Sequence, residues 1–350
     1  MIISASRRTD IPSYYAEWFM NRLRAGSVCV RNPMNAHQIS RVPLNREVLD
    51  CIVFWTKNPE PLMPFLDEID RMGYPYYFQF TLTPYNSKIE TGLTDKRRIL
   101  ESFIDLSQKI GREKVVWRYD PIFITPKMTV EFHLEAFSRM IDVIGAHTER
   151  CIFSFLDTYK KVGSGPEGRF EDVSESDMRK LASGFADIAK PAGVELHTCA
   201  ESIDLDEFGI GHASCIDGGL IERITGMKLL SGVKKDAQRE GCGCIECIDI
   251  GEYDTCLNGC LYCYATRNHK KSAERHALHD PESELLIGRL RSQIATSSSN
   301  DNYGGRRYNP YVFTEQGIAM LSSVIRSNVA IEVSICIMDR SKMQVRKALQ

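Results

Sequence analysis

The sequence predicts an α/β protein, a (β/α)6-type partial barrel of TIM-like architecture. Three observations carry that reading. Six β-like runs alternate with six helix-like segments, several strands are polar on one face, and charged side chains follow the strand ends. Strand-then-helix units in succession require a parallel sheet, because parallel neighbours need a crossover. Right-handed crossovers curl such a series toward a barrel with its chemistry at the carboxyl ends of the strands.

The first unit is a strand over 2–6 and a helix over about 13–25, where Tyr15, Trp18, Phe19 and Leu23 recur at helical spacing. The second joins 51–56, Cys-Ile-Val-Phe-Trp-Thr, to a helix near 60–72. The third joins 76–83 to a helix near 95–110, and the fourth 115–120 to one near 129–145. The fifth joins 151–157 to a helix near 174–190, and the sixth 194–199 to a short one near 217–225.

A parallel strand buried on both faces reads as continuously apolar, and several of these do not. Gln79, Thr81 and Thr83 share one face opposite Phe78, Phe80 and Leu82; Arg118 and Asp120 share one opposite Trp117 and Tyr119; His197 and Cys199 fall together. With period two, the apolar faces take the helices and the polar faces line a wet or ligand-filled interior. Arg118, Asp120, Gln79 and His197 are therefore the candidate catalytic residues. At single positions the alternatives are a buried Arg118–Asp120 pair without chemistry and a Gln79 that merely satisfies a neighbour.

The strand ends supply candidate cofactor-binding residues: Arg7, Arg8 and Asp10 after the first run, Lys57 and Asn58 after the second, Thr81 in the third, Asp157 in the fifth and Glu201 after the sixth. Carboxylates suit ribose hydroxyls, and arginines suit a carboxylate or phosphate. Surface salt bridges are the alternative for Arg8 and Lys57. The Gly-rich stretch 162–168 lacks the Gly-Lys-Ser/Thr ending of a phosphate loop and reads as a connection.

With 350 residues, 43% of them hydrophobic, the chain can build a core without disulfides. No run of 18 apolar residues and no signal-like N-terminal stretch is present, so a cytoplasmic protein with no membrane partner is expected. Cys29, Cys51, Cys151 and Cys336 lie in apolar runs and read as small core hydrophobes. Six others crowd into 242–263. Cys256, Cys260 and Cys263 form C-x3-C-x2-C, a spacing that fits a closed zinc site poorly. A four-iron cluster normally takes four cysteines, so three leave one iron available to an external ligand. Cys199, Cys215, Cys242 and Cys244, with Cys247 as a competitor, are candidates for a second metal site, an iron–sulfur cluster or zinc. The alternative that Cys199 and Cys215 are plain buried thiols stands beside it.

The triplet and its Tyr-Cys-Tyr-Ala ending resemble the radical S-adenosylmethionine (SAM) enzymes, and within them the spore photoproduct lyase-like group. That resemblance implies a [4Fe-4S] cluster on Cys256, Cys260 and Cys263, whose open iron binds SAM and cleaves it reductively to a 5′-deoxyadenosyl radical. It also implies an electron donor such as flavodoxin or ferredoxin. More widely, Ser-Ala-Ser-Arg-Arg-Thr-Asp-Ile-Pro (4–12), Phe-Trp-Thr-Lys-Asn (54–58), Phe-Gln-Phe-Thr-Leu-Thr (78–83), Trp-Arg-Tyr-Asp-Pro (117–121) and Cys-Gly-Cys through Cys-Tyr-Ala (242–265) resemble the bacterial domain-of-unknown-function family 1848 over roughly 1–288. In most radical SAM enzymes the cysteine loop follows the first barrel strand, whereas here six units precede it. A circularly permuted barrel reconciles the two if 246–263 lies beside the N-terminal strand.

The expected organisation is a barrel over 1–240, a cysteine-rich iron–sulfur segment over 241–288, a polar linker over 289–305 and a helical tail over 306–350. The tail is similar to the C-terminal half of the ORF-six-N type of phage antirepressor domain. Residues 289–350 hold nine Lys+Arg against four Asp+Glu, which permits nucleic-acid contact, while 1–288 holds 35 against 42 and has no basic stripe for duplex binding. A recombination remnant or a helix pair docked on the barrel is the competing reading of the tail. Two functions remain at this point: a radical SAM-type enzyme on an unidentified small molecule, peptide or nucleotide, or a zinc-stabilised binding protein without catalysis.

Overall fold

A computed structural model describes residues 1–93, 95–156, 164–165, 168–170, 172–229 and 242–288. Its centre is an eight-stranded sheet of β1 (Ile2–Ala5), β2 (Cys51–Thr56), β3 (Tyr76–Thr81), β4 (Val115–Ile122), β5 (Arg150–Phe155), β6 (Glu195–Thr198), β7 (Gly211–His212) and β8 (Ile248–Asp249). The order across the sheet is β7-β6-β5-β4-β3-β2-β1-β8. Every neighbouring pair is parallel.

Around it lie α1 (Ala16–Arg24), α2 (Leu66–Arg71), α3 (Lys96–Ile110), α4 (Val130–Ile144), α5 (Glu175–Ala192), α6 (Gly218–Thr225) and α7 (His269–Ala277). Asp95, Thr129 and Ser174 accept first-turn amide bonds and so fix where α3, α4 and α5 begin. The helix expected over 13–25 is two pieces. Asp10 caps a short turn Ile11–Tyr14 with Pro12 in its first turn, and α1 starts afresh after Tyr15.

The expected barrel is not closed. β7 and β8 are the sheet edges, and among the described residues they do not pair with each other. Both are two residues long, too short to supply the register that closure needs. β8 pairs beside β1, with Ile3 opposite Ile248 and Ser4 opposite Asp249, so the strand before the cysteine loop does lie against the N-terminal strand.

Each face of the sheet has its own core. Phe54, Phe78, Phe80, Trp117, Tyr119 and Phe153 point toward the helices, where Phe103, Phe137 and Phe185 meet them. The Trp117 and Phe137 rings stack at 5.0 Å, and Phe137 and Phe185 at 4.1 Å. Each ring buried this way contributes roughly 2 kcal/mol. On the opposite face Ile2, Val53, Tyr77, Val116 and Ile152 are covered by Ile216, Leu220 and Ile221. The expected wet interior is corrected here: an apolar layer fills the lower part of that face, because α6 and its flanking loop pack directly on it.

Residues Met1–Val30 and Arg41–Gly288 form one compact unit, and Arg31–Ser40 falls outside it. That short segment reverses on its own bonds, the Asn32 amide donating to the Gln38 carbonyl at 2.9 Å. The residues 289–350 expected to form linker and tail lie outside the described residues, as do Cys336 and Asp157. Of the connection 162–168, the structure describes Ser164–Gly165, paired with Gly168–Arg169.

Candidate metal and cofactor site

Above the apolar layer, at the carboxyl ends of the strands, a cavity of about 410 Å³ opens. Its walls include Cys256, Cys260 and Cys263 on one loop, and Cys199, Cys215, Cys242 and Cys244 from three segments. Arg7, Arg8, Asp10, Lys57, Thr81, Arg118 and Asp120 also line it. Parallel strands end together on one side of a sheet, which is why residues so distant in sequence share one space.

The cysteine loop follows β8 and is fixed from two sides. On the β8 side Asp249 accepts bonds from Ser4 Oγ at 3.0 Å, Ser6 Oγ at 2.5 Å, the Arg7 amide at 2.8 Å and the Gly251 amide at 3.0 Å. On the other side the loop runs beside residues 89–92. Leu261 donates to the Ile89 carbonyl at 3.0 Å, and Gly92 to the Asn258 carbonyl at 3.0 Å. A Cβ on Gly92 would stand 1.9 Å from the Leu257 carbonyl oxygen, so only glycine permits that approach.

Glu90 sits at this seam, fully buried, and no sequence signal marks it. Its carboxylate accepts from Lys57 Nζ at 2.7 Å, from Thr83 Oγ1 at 2.8 Å, and from Lys96 Nζ and the Tyr262 hydroxyl. Burial works against its charge, but Lys57 and Lys96 overcome that and hold the carboxyl down to about 2. Burial alone would lower Lys57; Glu90 reverses the sign and raises it, so the pair stays ionised. For Lys96 burial wins and the ammonium is lowered.

Asp10 is also a seam. Its oxygens accept from the Ser13 amide at 3.1 Å, the Lys57 amide at 2.8 Å and Asn258 Nδ2 at 3.0 Å, so it ties β1, β2 and the cysteine loop together. Burial raises its pKa despite those bonds. Arg118 Nε donates to Asp120 Oδ2 at 3.1 Å, its Nη1 to Cys215 Sγ at 3.0 Å, and its guanidinium lies 5.1 Å from the Trp55 ring centroid. Burial favours a neutral Asp120, but Arg118 and Ser154 lower it, so a carboxylate faces the cavity.

Gln79, His197, Asn58 and Glu201 stand outside the lining. Gln79 lies beneath the cavity, its Nε2 donating to the Cys215 carbonyl at 2.8 Å. His197 is outside the lining, 3.6 Å from Glu195, and burial lowers its pKa. Asn58 organises a turn by accepting from the Glu60 amide at 3.1 Å. Glu201 Oε1 accepts from the Phe155 amide at 2.8 Å. Arg7 Nη2 donates to Cys247 Sγ at 3.3 Å, and Arg8 lies 5.4 Å from the Tyr253 ring centroid. Sequence reasoning missed Glu90, Asp249 and Asn258, which hold the loop, and met Tyr262 only as part of the Tyr-Cys-Tyr-Ala ending.

Among the described residues no three His, Cys, Asp or Glu side chains are grouped tightly enough, as they stand, to hold a metal ion. The donor chemistry nonetheless fits a cluster: three soft thiols on one loop, facing one cavity, with a cationic rim. Burial pushes the Cys256 thiol up and Cys260 to about 12, so a cation is what would ionise them.

An α/β sheet with a cysteine-walled cavity at its strand ends defines the class. The chain belongs to the family described as domain of unknown function DUF1848, whose model matches residues 2–265. An ORF6N domain model matches residues 263–324. The second match begins inside the cysteine loop, yet the described residues 266–288 pack within the same unit as the sheet, where Trp18 Nε1 donates to the Ser283 carbonyl at 2.9 Å. No curated protein matches this chain. No helix among the described residues is long and apolar enough to cross a membrane.

Proposed function

We propose that this protein is a radical SAM-type iron–sulfur enzyme, with Cys256, Cys260 and Cys263 as ligands of a [4Fe-4S] cluster. One observation carries the reading: the three thiols of C-x3-C-x2-C line the same cavity as Arg118, Asp120, Lys57 and Thr81. When bound, such a cluster supplies one open iron for SAM and the electron that cleaves it. The chain's own residues do the rest. Lys57, 5.7 Å from the Tyr262 ring centroid, places a cation beside the cysteine loop. Arg118 and Asp120 present a fixed donor and acceptor pair to whatever occupies the cavity, and Trp55 shields their flank. We read the pairing of β8 beside β1 as that of an open, circularly permuted barrel, which returns the cysteine loop to the first-strand position.

An electron donor such as flavodoxin or ferredoxin belongs to the same proposal. So does nucleic-acid contact through 289–350, which rests on that segment's basic balance and the ORF6N match. Anaerobic purification and reconstitution of the full chain, followed by incubation with SAM and dithionite, tests the enzyme. A brown protein with about four irons or more per chain that releases 5′-deoxyadenosine is the expected result. A colourless protein with stoichiometric zinc and no deoxyadenosine overturns it in favour of a zinc-stabilised binding protein.

A further inference from the structure

The cavity has a second sulfur wall that the proposed SAM site does not use. Cys199 follows β6, Cys215 lies in the loop before α6, and Cys242 and Cys244 belong to the segment before β8. The Cys199 and Cys215 sulfurs are 3.0 Å apart. Cys244 Sγ reaches the same segment through the Cys215 amide at 3.2 Å, and Cys242, two residues away, lines the same cavity. Cys247 packs on the same apolar patch, but its sulfur faces Arg7 and does not line the cavity.

Two of these sulfurs accept N–H bonds. Cys244 Sγ accepts from the backbone amides of Cys215 at 3.2 Å and Ile216 at 3.4 Å. Cys215 Sγ accepts from the Arg118 guanidinium, which is itself buried. Amide and guanidinium donors aimed at sulfur are the outer contacts that orient and tune metal-bound thiolates. Cys51 and Cys151, fully buried in the sheet, make no guanidinium hydrogen bond among the described residues. The three segments carrying the group are joined by few backbone bonds, such as Ala213 to Thr198 at 2.8 Å and Ile245 to Ile216 at 3.1 Å. A shared ion would close that wall.

We propose that Cys199, Cys215, Cys242 and Cys244 hold a second, four-thiolate centre for a thiophilic metal, lying across the cavity from the Cys256–Cys260–Cys263 loop. Four sulfurs close the coordination of a single zinc or satisfy all four irons of a cluster. The centre is therefore saturated by protein, unlike the three-cysteine site, and its work is to fix the Arg118-bearing wall.

The test removes the first site and asks what remains. The full-length C256A/C260A/C263A variant is purified anaerobically, reconstituted in parallel with ferrous iron plus sulfide and with Zn2+, desalted and analysed for metal. Retention of about four irons with matching sulfide, or of about one zinc, per chain is expected. Adding C242S, at a half-buried position, or C215S should lower that retention at least tenfold, with near-UV circular dichroism reporting that the fold persists. The two reconstitution arms decide which metal the site takes. Metal in the triple variant no higher than in the quadruple variants overturns the proposal. So does a Cys199–Cys215 disulfide, found by mass spectrometry, in a metal-free protein. Because the triple variant lacks the SAM-site thiols, failure of the radical SAM reading leaves this result unaffected.

Discussion

The two sulfur walls of the cavity are built in opposite ways. Cys256, Cys260 and Cys263 sit on one short loop, and their spacing alone brings them together; neighbouring segments only hold the loop in place, through Glu90, Asn258 and Asp249. Cys199, Cys215, Cys242 and Cys244 come from segments that meet only because β6, the loop before α6 and the chain before β8 converge. A local motif can be mutated residue by residue with local consequences. A long-range group depends on the fold that brings its members together.

Breaking the loop-borne wall gives the largest expected effect. Cys260→Ala should abolish 5′-deoxyadenosine formation while leaving metal on the second wall, a split that iron analysis and product chromatography read together. Next in size is Glu90→Gln, which leaves Lys57 and Lys96 buried without their anion. It should cost about 4 kcal/mol in urea unfolding. If it costs less than about 1 kcal/mol, Glu90 is not what holds the loop against residues 89–92.

Acid should loosen the same side through His133. Its Nδ1 pairs with the Tyr119 hydroxyl at 2.9 Å and its Nε2 with the Phe123 carbonyl at 3.0 Å. Tyr85 and Phe123 stack at 4.3 Å, and Phe123 and Tyr85 pack with Tyr262 and Cys260 behind the loop. Burial lowers His133 from 6.5 to about 4. The folded state therefore keeps it neutral while the unfolded chain takes up a proton. Stability is full above pH 6.5 and should fall by about 3 kcal/mol as pH drops toward 4. In His133→Gln that slope should vanish between pH 6.5 and 4, whatever the absolute stability.

The smallest effect is expected at Gly259. Its φ is +64°, and a Cβ there would lie 2.2 Å from Thr91 Oγ1 and 2.8 Å from the Gly92 amide nitrogen. Gly259→Ala should cost about 2 kcal/mol and lower metal retention on the loop but not on the second wall. Equal losses on both walls would show that the two are one cooperative unit.

Much of the scaffold was legible in the sequence. Strand positions such as 51–56 and helices such as 95–110 follow from apolar periodicity. The polar faces of β3 and β4 were legible too, but not their surroundings. Gln79 and Arg118 share one face, yet Gln79 lies under an apolar layer and Arg118 at the cavity, because α6 and its flanking loop cover only part of that face. Glu90 was illegible: a single carboxylate in a loop gains meaning only when Lys57, Lys96 and Tyr262 arrive from elsewhere.

The sequence by itself determined the α/β class, the parallel units and the cysteine triplet, since periodicity and spacing are local properties of a chain. Tertiary structure alone decided that the sheet stays open, that β8 returns to the side of β1, and that two separate sets of thiols face one cavity. Those outcomes depend on contacts between residues hundreds of positions apart, such as Ser4 with Asp249 and Asp10 with Asn258, and no local pattern encodes such contacts.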